Sequence, residues 1–251
     1  MSDPAKAPRA AGSARYSIVA IVLHWLIAAL IVLQVILAGR MDGPPGVERF
    51  EVTQLHKSVG ITVLLLSLAR LAWRLMNPPA PLPDTMARWE KALASVTHVL
   101  LYVIMIGLPL TGWIMVSSST YGRPTILYGL VNWPHVPGLP GLAPVAKAVW
   151  HDVAEFGHEA LAKAAYVLIV LHVAGALKHQ LFSRDEPVLA RMAPGARAGR
   201  WLEPRILVIL AAFAAVVAFG RVLDPPDPGM PAPPAKAQPA SEPPEAKGPA
   251  G

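Results

Sequence analysis

Four histidines lie at two matched depths inside apolar, membrane-length segments of the chain. His24 is near the start of the first segment, His56 opens the second, and His158 and His172 share the fourth. Polar side chains are costly in hydrocarbon, so histidines persist there mainly when they have a partner and a function. The sequence contains no cysteine, which excludes iron–sulfur clusters, thiolate-bound haem and covalent C-x-x-C-H haem attachment. The chemistry that these histidines predict is electron transfer at b-type haem.

Helix geometry predicts how the four histidines pair. The 14-residue spacing of His158 and His172 corresponds to roughly 21 Å along an α-helix and falls about 40° short of whole turns, so both share one face at opposite depths. By depth, His56 pairs with His158 at the outer side and His24 pairs with His172 at the inner side. Each pair would supply both axial ligands of one haem, and such six-coordinate haems usually carry electrons. The alternative is that these are buried histidines that form hydrogen bonds between helices, or that they are interfacial histidines.

The elements that must hold these histidines are transmembrane helices. Hydrophobic residues make up 54% of the chain and charged residues 15%, whereas about a quarter of the residues in soluble domains are charged. Windows of roughly twenty apolar residues match the thickness of bilayer hydrocarbon, and they cover 17–38, 57–76, 95–116, 158–181 and 205–222. The first window is too long, and too poor in small residues at a cleavage site, for a signal peptide. The predicted fold is therefore an all-α membrane protein: a four-helix transmembrane bundle binding two b haems, plus a fifth C-terminal transmembrane helix.

The basic charge of the chain predicts its orientation. Lys and Arg outnumber Asp and Glu in the N-terminal segment and around the second and fourth connections. The positive-inside rule then places the N-terminus and the 77–94 and 182–204 connections in the cytoplasm, and the 39–55 and 117–156 connections and the C-terminus in the periplasm. The pI near 9.8 is thus an orientation signal, and no nucleic-acid partner is expected. The predicted location is the bacterial inner membrane, with the lipid bilayer as partner.

Four stretches of the chain follow from this topology. They are a cytoplasmic N-terminal segment, 1–15; a four-helix haem domain, 16–194; a linker and fifth helix, 195–223; and a Pro/Ala-rich periplasmic tail, 224–251. The second helix is expected to begin at His56 and the fourth near Phe156. The intervening 117–156 connection, long and rich in Pro, Gly, Trp and Tyr, predicts a lid in the membrane interface.

Three further polar residues are candidates near the inner haem. Arg70 follows His56 by 14 residues and so reaches the inner level, where a haem propionate or a quinone oxygen would balance its charge; the alternative is an arginine that snorkels to the cytoplasm. His98, near the inner end of the third helix, and His179, two turns past His172, are candidates to hydrogen-bond or protonate a quinone. The alternative for both is an ordinary interfacial histidine.

Motifs on all four helices resemble the bacterial cytochrome b561 family. They are Leu23-His24-Trp25, Leu55-His56-Lys57-Ser58-Val59-Gly60, the run from Leu68 to Leu75, His98 with Tyr102 and Leu108-Pro109-Leu110-Thr111-Gly112, Trp150-His151, His158-Glu159, and Leu171-His172 followed by His179. The resemblance covers about residues 14–194. It implies a four-helix bundle with two bis-histidine b haems and the same ligand set. The fifth helix and the Pro-rich tail depart from the family pattern.

The resemblance also implies an activity. Superoxide would be oxidised at the outer face, and its electrons would pass inward to ubiquinone. Lys57, Arg123 and Lys147 would form a weakly positive mouth that attracts the anion, and His151 is the loop histidine expected nearest the outer haem. One alternative is a non-enzymatic cytochrome b subunit that relays electrons between a partner dehydrogenase or periplasmic c-type cytochrome and the quinone pool. Another is a tethering role for the fifth helix and tail.

Overall fold

The computed structural model describes residues 16–41, 46–79, 82, 86–182 and 191–192. Its long elements are four helices: α1 (Ile18–Arg40), α2 (Val47–Met76), α3 (Arg88–Ser117) and α4 (Pro144–Phe182). Each of the four is long and apolar enough to cross a membrane. The predicted helical transmembrane bundle is therefore confirmed, and the chain is a multi-pass membrane protein. The fifth predicted helix, at 205–222, lies outside the described residues, as do the 1–15 segment and the tail.

Consecutive helices pack side by side in opposite directions. At one end, which we call the proximal end, α1 begins where α2 stops, and the Trp73 indole N–H donates to the Ser17 hydroxyl at 2.9 Å. At the other, distal end, Arg40 forms an ion pair with Glu48 at 3.5 Å. The same alternation continues to α4, because Lys178 near its end bonds Glu90 near the start of α3 at 2.6 Å.

The interior of the bundle is centred on α2. Within its membrane-spanning window 33% of the residues are buried, against 6% in α1 and α4, so α2 is the helix most enclosed by protein. Val59 and Val63 of α2 pack with Leu37 of α1 in the buried cluster, and Ser58 and Ser67 are fully buried. Small residues of this kind let membrane helices approach closely.

Two helices begin earlier than predicted. Helix α2 starts at Val47 and not at His56, and α4 starts at Pro144 and not near Phe156. A hydropathy window detects only the part of a helix that lies in hydrocarbon, whereas the first turns of both helices carry charged side chains such as Glu48 and Lys147. The distal histidines therefore lie well inside helices, and Trp150 of the predicted lid belongs to α4.

The remaining connection contains a small hairpin that the sequence did not predict. Strand β1 (Thr125–Leu127) pairs antiparallel with β2 (Val131–Trp133). The connecting loop includes Tyr128 at φ 49°, a left-handed conformation that is uncommon outside glycine. A hydrogen bond of 2.6 Å between the Tyr128 and Thr62 hydroxyls holds the loop against α2.

Side chains of α2 and α3 fix the hairpin and the chain that follows it. The Ser58 hydroxyl accepts the Tyr128 N–H at 2.9 Å, and the Gln54 side-chain oxygen accepts the Ile126 N–H at 3.1 Å. Farther on, the Ser117 hydroxyl accepts the Val136 N–H at 2.9 Å. The distal connection is thus a strap bound to α2 and α3.

Candidate functional site

The distal histidine pair joins α2 to α4. The ring centroids of His56 and His158 are 6.4 Å apart, with the ring planes 68° apart. The His158 Nδ1 lies 3.0 Å from the Leu108 carbonyl oxygen of α3 and 3.2 Å from the Thr111 hydroxyl. Because a carbonyl only accepts, Nδ1 carries the proton and donates it, which leaves the Nε2 lone pair free to bind a metal.

The other distal ring has an unsatisfied nitrogen. His56 Nδ1 and Gln34 Oε1 are buried without a hydrogen-bond partner among the described residues. Leaving a buried polar atom unpaired costs roughly 1–3 kcal/mol, so a bound group that satisfies the imidazole would stabilise this site. The Gln34 amide N–H donates to the His56 carbonyl at 3.1 Å, which ties α1 to the turn of α2 that carries the histidine. Gly60 permits this approach, because a Cβ there would lie 3.1 Å from Gln34 Nε2.

The proximal cluster draws one histidine from each of three helices. The centroids of His24 on α1 and His172 on α4 are 6.2 Å apart. The ring centroids of His98 on α3 and His172 are 5.4 Å apart. The Trp25 ring stands edge-on to His24 at 5.3 Å, and its indole N–H donates to the Met192 carbonyl at 2.9 Å. His172 therefore has histidine neighbours on two other helices.

These distances fit a haem iron held between two imidazoles. Two opposed metal–nitrogen bonds of about 2 Å each, together with the distance from each nitrogen to its ring centre, separate the centroids by roughly 6 Å. The 6.4 Å and 6.2 Å pairs have this spacing. A metal ion without a porphyrin usually takes three or four protein ligands, and the described part of the chain holds no group of three or more His, Cys, Asp or Glu arranged for one.

Arg70 lies at the proximal end of α2, beside α3. Its guanidinium carbon is 5.6 Å from the centre of the Tyr102 ring, and that of Arg74 is 6.0 Å from it. Both arginines line a cavity of about 210 Å³. His179 lies in α4, and its side chain is outside the described residues.

The distal candidates have different surroundings. Lys57 donates from Nζ to the Pro124 carbonyl at 2.8 Å, and the guanidinium carbon of Arg123 lies 5.5 Å from the centre of the Tyr121 ring. His151 belongs to α4 and not to a loop, and its Nδ1 is 2.9 Å from the Met115 carbonyl of α3. It precedes His158 by about two helical turns, on the same face. All three residues therefore lie at the distal end, with His151 farther out along α4 than His158.

Sequence reasoning missed the group that orients His158. The Leu108 carbonyl is a backbone acceptor, and a backbone atom leaves no residue-type signal. The Leu108-Pro109-Leu110-Thr111-Gly112 motif did contain both partners, and Gly112 is the residue of α3 that allows the ring to approach. A Cβ at Gly112 would lie 3.3 Å from His158 Cε1.

The chain has clear relatives. A sequence model described as prokaryotic cytochrome b561 matches residues 15–195. Cytochrome b561 homolog 2 of Escherichia coli K12 is 30% identical over 186 residues, 71% of this chain and 90% of that protein. Probable superoxide oxidase CybB of Yersinia pestis is 28% identical over 183 residues, 73% and 98% of the two chains.

A third relative, cytochrome b561 homolog 1 of Escherichia coli K12, is 29% identical over 184 residues, 72% of this chain and 97% of that protein. All three alignments span nearly the whole relative, so the similarity covers a complete helical domain and not an isolated motif. The family membership that the sequence motifs predicted is confirmed: the chain belongs to the prokaryotic cytochrome b561 family. Membership of this family implies b-type haem.

Proposed function

We propose that this chain carries electrons across the bilayer between two bis-histidine b-haem sites. His56 and His158 would bind the distal haem, and His24 and His172 the proximal one. The observation that carries the proposal is the pair of ring separations, 6.4 and 6.2 Å. The two sites share α4, where His158 and His172 are separated by roughly 21 Å of helix rise. Haem bound by these histidines would supply one-electron transfer.

The protein's contribution is to fix the rings before haem binds. The Leu108 carbonyl and the Thr111 hydroxyl hold His158 Nδ1 at 3.0 and 3.2 Å. A hydrogen bond of this kind fixes the tautomer and the ring orientation, and it makes the liganding nitrogen more basic. At the proximal site Trp25 contacts His24 and is itself held by the Met192 carbonyl at 2.9 Å. Both sites are thus oriented by residues on neighbouring segments.

Replacement of Gly112 by valine is expected to remove the distal haem while the proximal haem is retained. A Cβ at this position would lie 3.3 Å from His158 Cε1 and 3.5 Å from its Nδ1, so the larger side chain displaces the ring from the Leu108 carbonyl. The measurement is haem per chain from the reduced-minus-oxidised spectrum. Gly39→Val is the matched control, because a Cβ at Gly39 of α1 meets nothing within 4 Å. Equal haem content in both variants would contradict the role given to this contact.

The orientation that fits this function puts the proximal end in the cytoplasm of a bacterial cell. Basic residues of the described chain gather there, on α2, α3 and α4; they are Arg70, Arg74, Arg88, Lys91 and Lys178. The distal end carries basic residues too, but acidic residues such as Glu48, Glu51 and Asp152 accompany them. This asymmetry is the one that the positive-inside rule describes.

The reaction that we propose is superoxide oxidation at the distal face, coupled to ubiquinone reduction at the proximal face. Each superoxide gives up one electron and leaves as dioxygen. Two such electrons, with two protons taken from the proximal side, convert one ubiquinone to ubiquinol. One relative carries the name probable superoxide oxidase, and Lys57 and Arg123 lie at the distal end, where positive charge would attract the anion.

Three proximal residues are the candidates to contact the acceptor. His98 lies 5.4 Å from His172, centre to centre, so a quinone beside it would be close to the proximal haem. Arg70 supplies a positive charge for a quinone oxygen or a haem propionate. His179 follows on the same helix. We assign to His98 the donation of a proton or hydrogen bond to the quinone as it accepts electrons.

The test is ubiquinol formation by purified, haem-loaded protein in lipid vesicles supplied with enzymatically generated superoxide. We expect quinol to form with superoxide, and superoxide dismutase to abolish the reaction. Raising the ionic strength should slow it, because screening weakens attraction of the anion to the distal face. Quinone reduction that is independent of superoxide would reject this activity. The protein would then act as an electron relay for another donor, which a co-purifying redox partner would reveal.

A further inference from the structure

The cavity at the proximal end has neither histidine pair in its walls. Its volume is about 210 Å³, and its walls come from the start of α1, the end of α2, the middle of α3 and the short segment 191–192 that follows α4. None of the lining residues is a histidine, an aspartate or a glutamate. A cavity of about 210 Å³ admits a few water molecules or one small polar group.

Three arginines line this cavity: Arg70, Arg74 and Arg191. Arg70 and Arg74 are one helical turn apart on α2 and both lie against the Tyr102 ring, at 5.6 and 6.0 Å. Like charges four residues apart on a helix repel each other, and no carboxylate of the described residues forms an ion pair with either arginine. A bound anion would neutralise this repulsion.

Hydrogen bonds join the walls of the cavity. The Trp73 indole N–H donates to the Ser17 hydroxyl at 2.9 Å and joins two of its walls. The Tyr16 N–H donates to the Arg191 carbonyl at 3.3 Å, which holds the segment after α4 against the start of α1. Since α1 begins and α2 ends here, the cavity lies close to the proximal membrane interface. Tyr16, Trp73 and Tyr102 in its walls are residue types enriched near membrane interfaces.

We propose that this cavity binds a phosphate group, that of an anionic phospholipid headgroup. Guanidinium groups bind phosphate oxygens through paired, charge-assisted hydrogen bonds. Basic pockets between membrane helices on the cytoplasmic side are typical sites for such headgroups. A space of about 210 Å³ accommodates a phosphate with its ester linkages. The inference goes beyond electron transfer, and Arg74 and Arg191 have no part in the redox roles proposed above.

The experiment measures lipid binding by the haem-loaded full chain. Wild-type protein, the double variant Arg74→Gln/Arg191→Gln and the control Arg88→Gln are titrated with vesicles of phosphatidylglycerol in phosphatidylcholine, and with phosphatidylcholine alone. Arg88 is an exposed basic residue at the same end of the bundle, outside the cavity. We expect at least tenfold weaker phosphatidylglycerol binding in the double variant alone. Native mass spectrometry should find one fewer retained phospholipid, with haem content unchanged.

Inorganic phosphate distinguishes the two sources of the phosphate group. If it binds the wild type and the control but not the double variant, and displaces phosphatidylglycerol, the phosphate site stands and the free anion is also a ligand. Equal phosphatidylglycerol binding by all three proteins would overturn the proposal. So would loss of haem from the double variant with lipid binding intact, because the arginines would then serve a haem propionate. The electron-transfer proposal is judged separately, by haem content and quinone reduction.

If the double variant does not fold, a measurement on wild-type protein still tests the proposed site. Phenylglyoxal modifies accessible arginine side chains, and mass spectrometry gives its rate at Arg74, Arg88 and Arg191 separately. Phosphatidylglycerol should slow modification of Arg74 and Arg191 at least severalfold and leave Arg88 unaffected. Unchanged rates at the two cavity arginines would reject the site.

Discussion

Alanine in place of His56, or of His172, is expected to lower the haem content from two b haems per chain to about one. Each substitution removes one axial ligand from one pair and leaves the other pair intact, since the pairs share no residue. The ring centroids of the two pairs are 6.2 and 6.4 Å apart, and among the described residues neither distal ring has a ring contact with a third histidine. Dithionite-reduced minus oxidised spectra, with haem quantified per chain, measure the loss. We expect the two variants to lose different spectral components, since their haems have different surroundings.

A matched control and a double variant sharpen this prediction. His135 lies in the distal connection, outside both pairs, so His135→Ala should retain the full haem content. The His56→Ala/His172→Ala double variant should retain almost none. Helical content from circular dichroism shows whether each variant folds. Full haem content in both single variants would show that these histidines do not bind haem, and it would remove the basis for the proposed electron transfer.

Much of the fold follows from the sequence because the bilayer imposes strict length and polarity requirements. Apolar windows of roughly twenty residues are long enough to cross hydrocarbon as helices, and the described part of the chain contains four such helices. A spacing of 14 residues between His158 and His172 also sets their relative depth and face, because helix rise and twist are nearly constant. Hydropathy does not set where a helix ends in water. That is why Val47 and Pro144, and not His56 and Phe156, begin α2 and α4.

The surroundings of the histidines were harder to predict, because they depend on contacts between distant segments. The hairpin has strands of three residues, and the hydroxyl of Ser58 and the amide of Gln54 hold it by bonding its backbone. The bond from His158 to the Leu108 carbonyl joins residues 50 apart, and one partner is a backbone atom. Likewise, helix periodicity gives the depth of Arg70 but not its neighbour Tyr102 on α3. These contacts arise from packing, which a residue pattern does not encode locally.

The proposed order of electron flow, from superoxide through the distal pair to the proximal pair and ubiquinone, predicts the second large effect. With His24 replaced by alanine the distal pair remains, so superoxide should still reduce the one retained haem, while ubiquinone reduction falls to the level of haem-free protein. With His56 replaced, ubiquinol should reduce the retained haem and superoxide should not. The reason is distance: His158 and His172 are separated by roughly 21 Å of helix rise, so a single haem near either one serves only its own face.

Stopped-flow absorption of the retained haem, with superoxide or ubiquinol as the reductant, separates these outcomes, and His135→Ala again provides the control. If the His24→Ala variant reduces ubiquinone as fast as the wild type, the proximal pair is not on the electron path. A reversed pattern, in which His24→Ala responds only to ubiquinol, would exchange the two faces while preserving two haems in series. His24 and His56 belong to different pairs, so the two variants interrupt the proposed route at its two ends. Their opposite responses would therefore establish which face reacts with superoxide and which with ubiquinol.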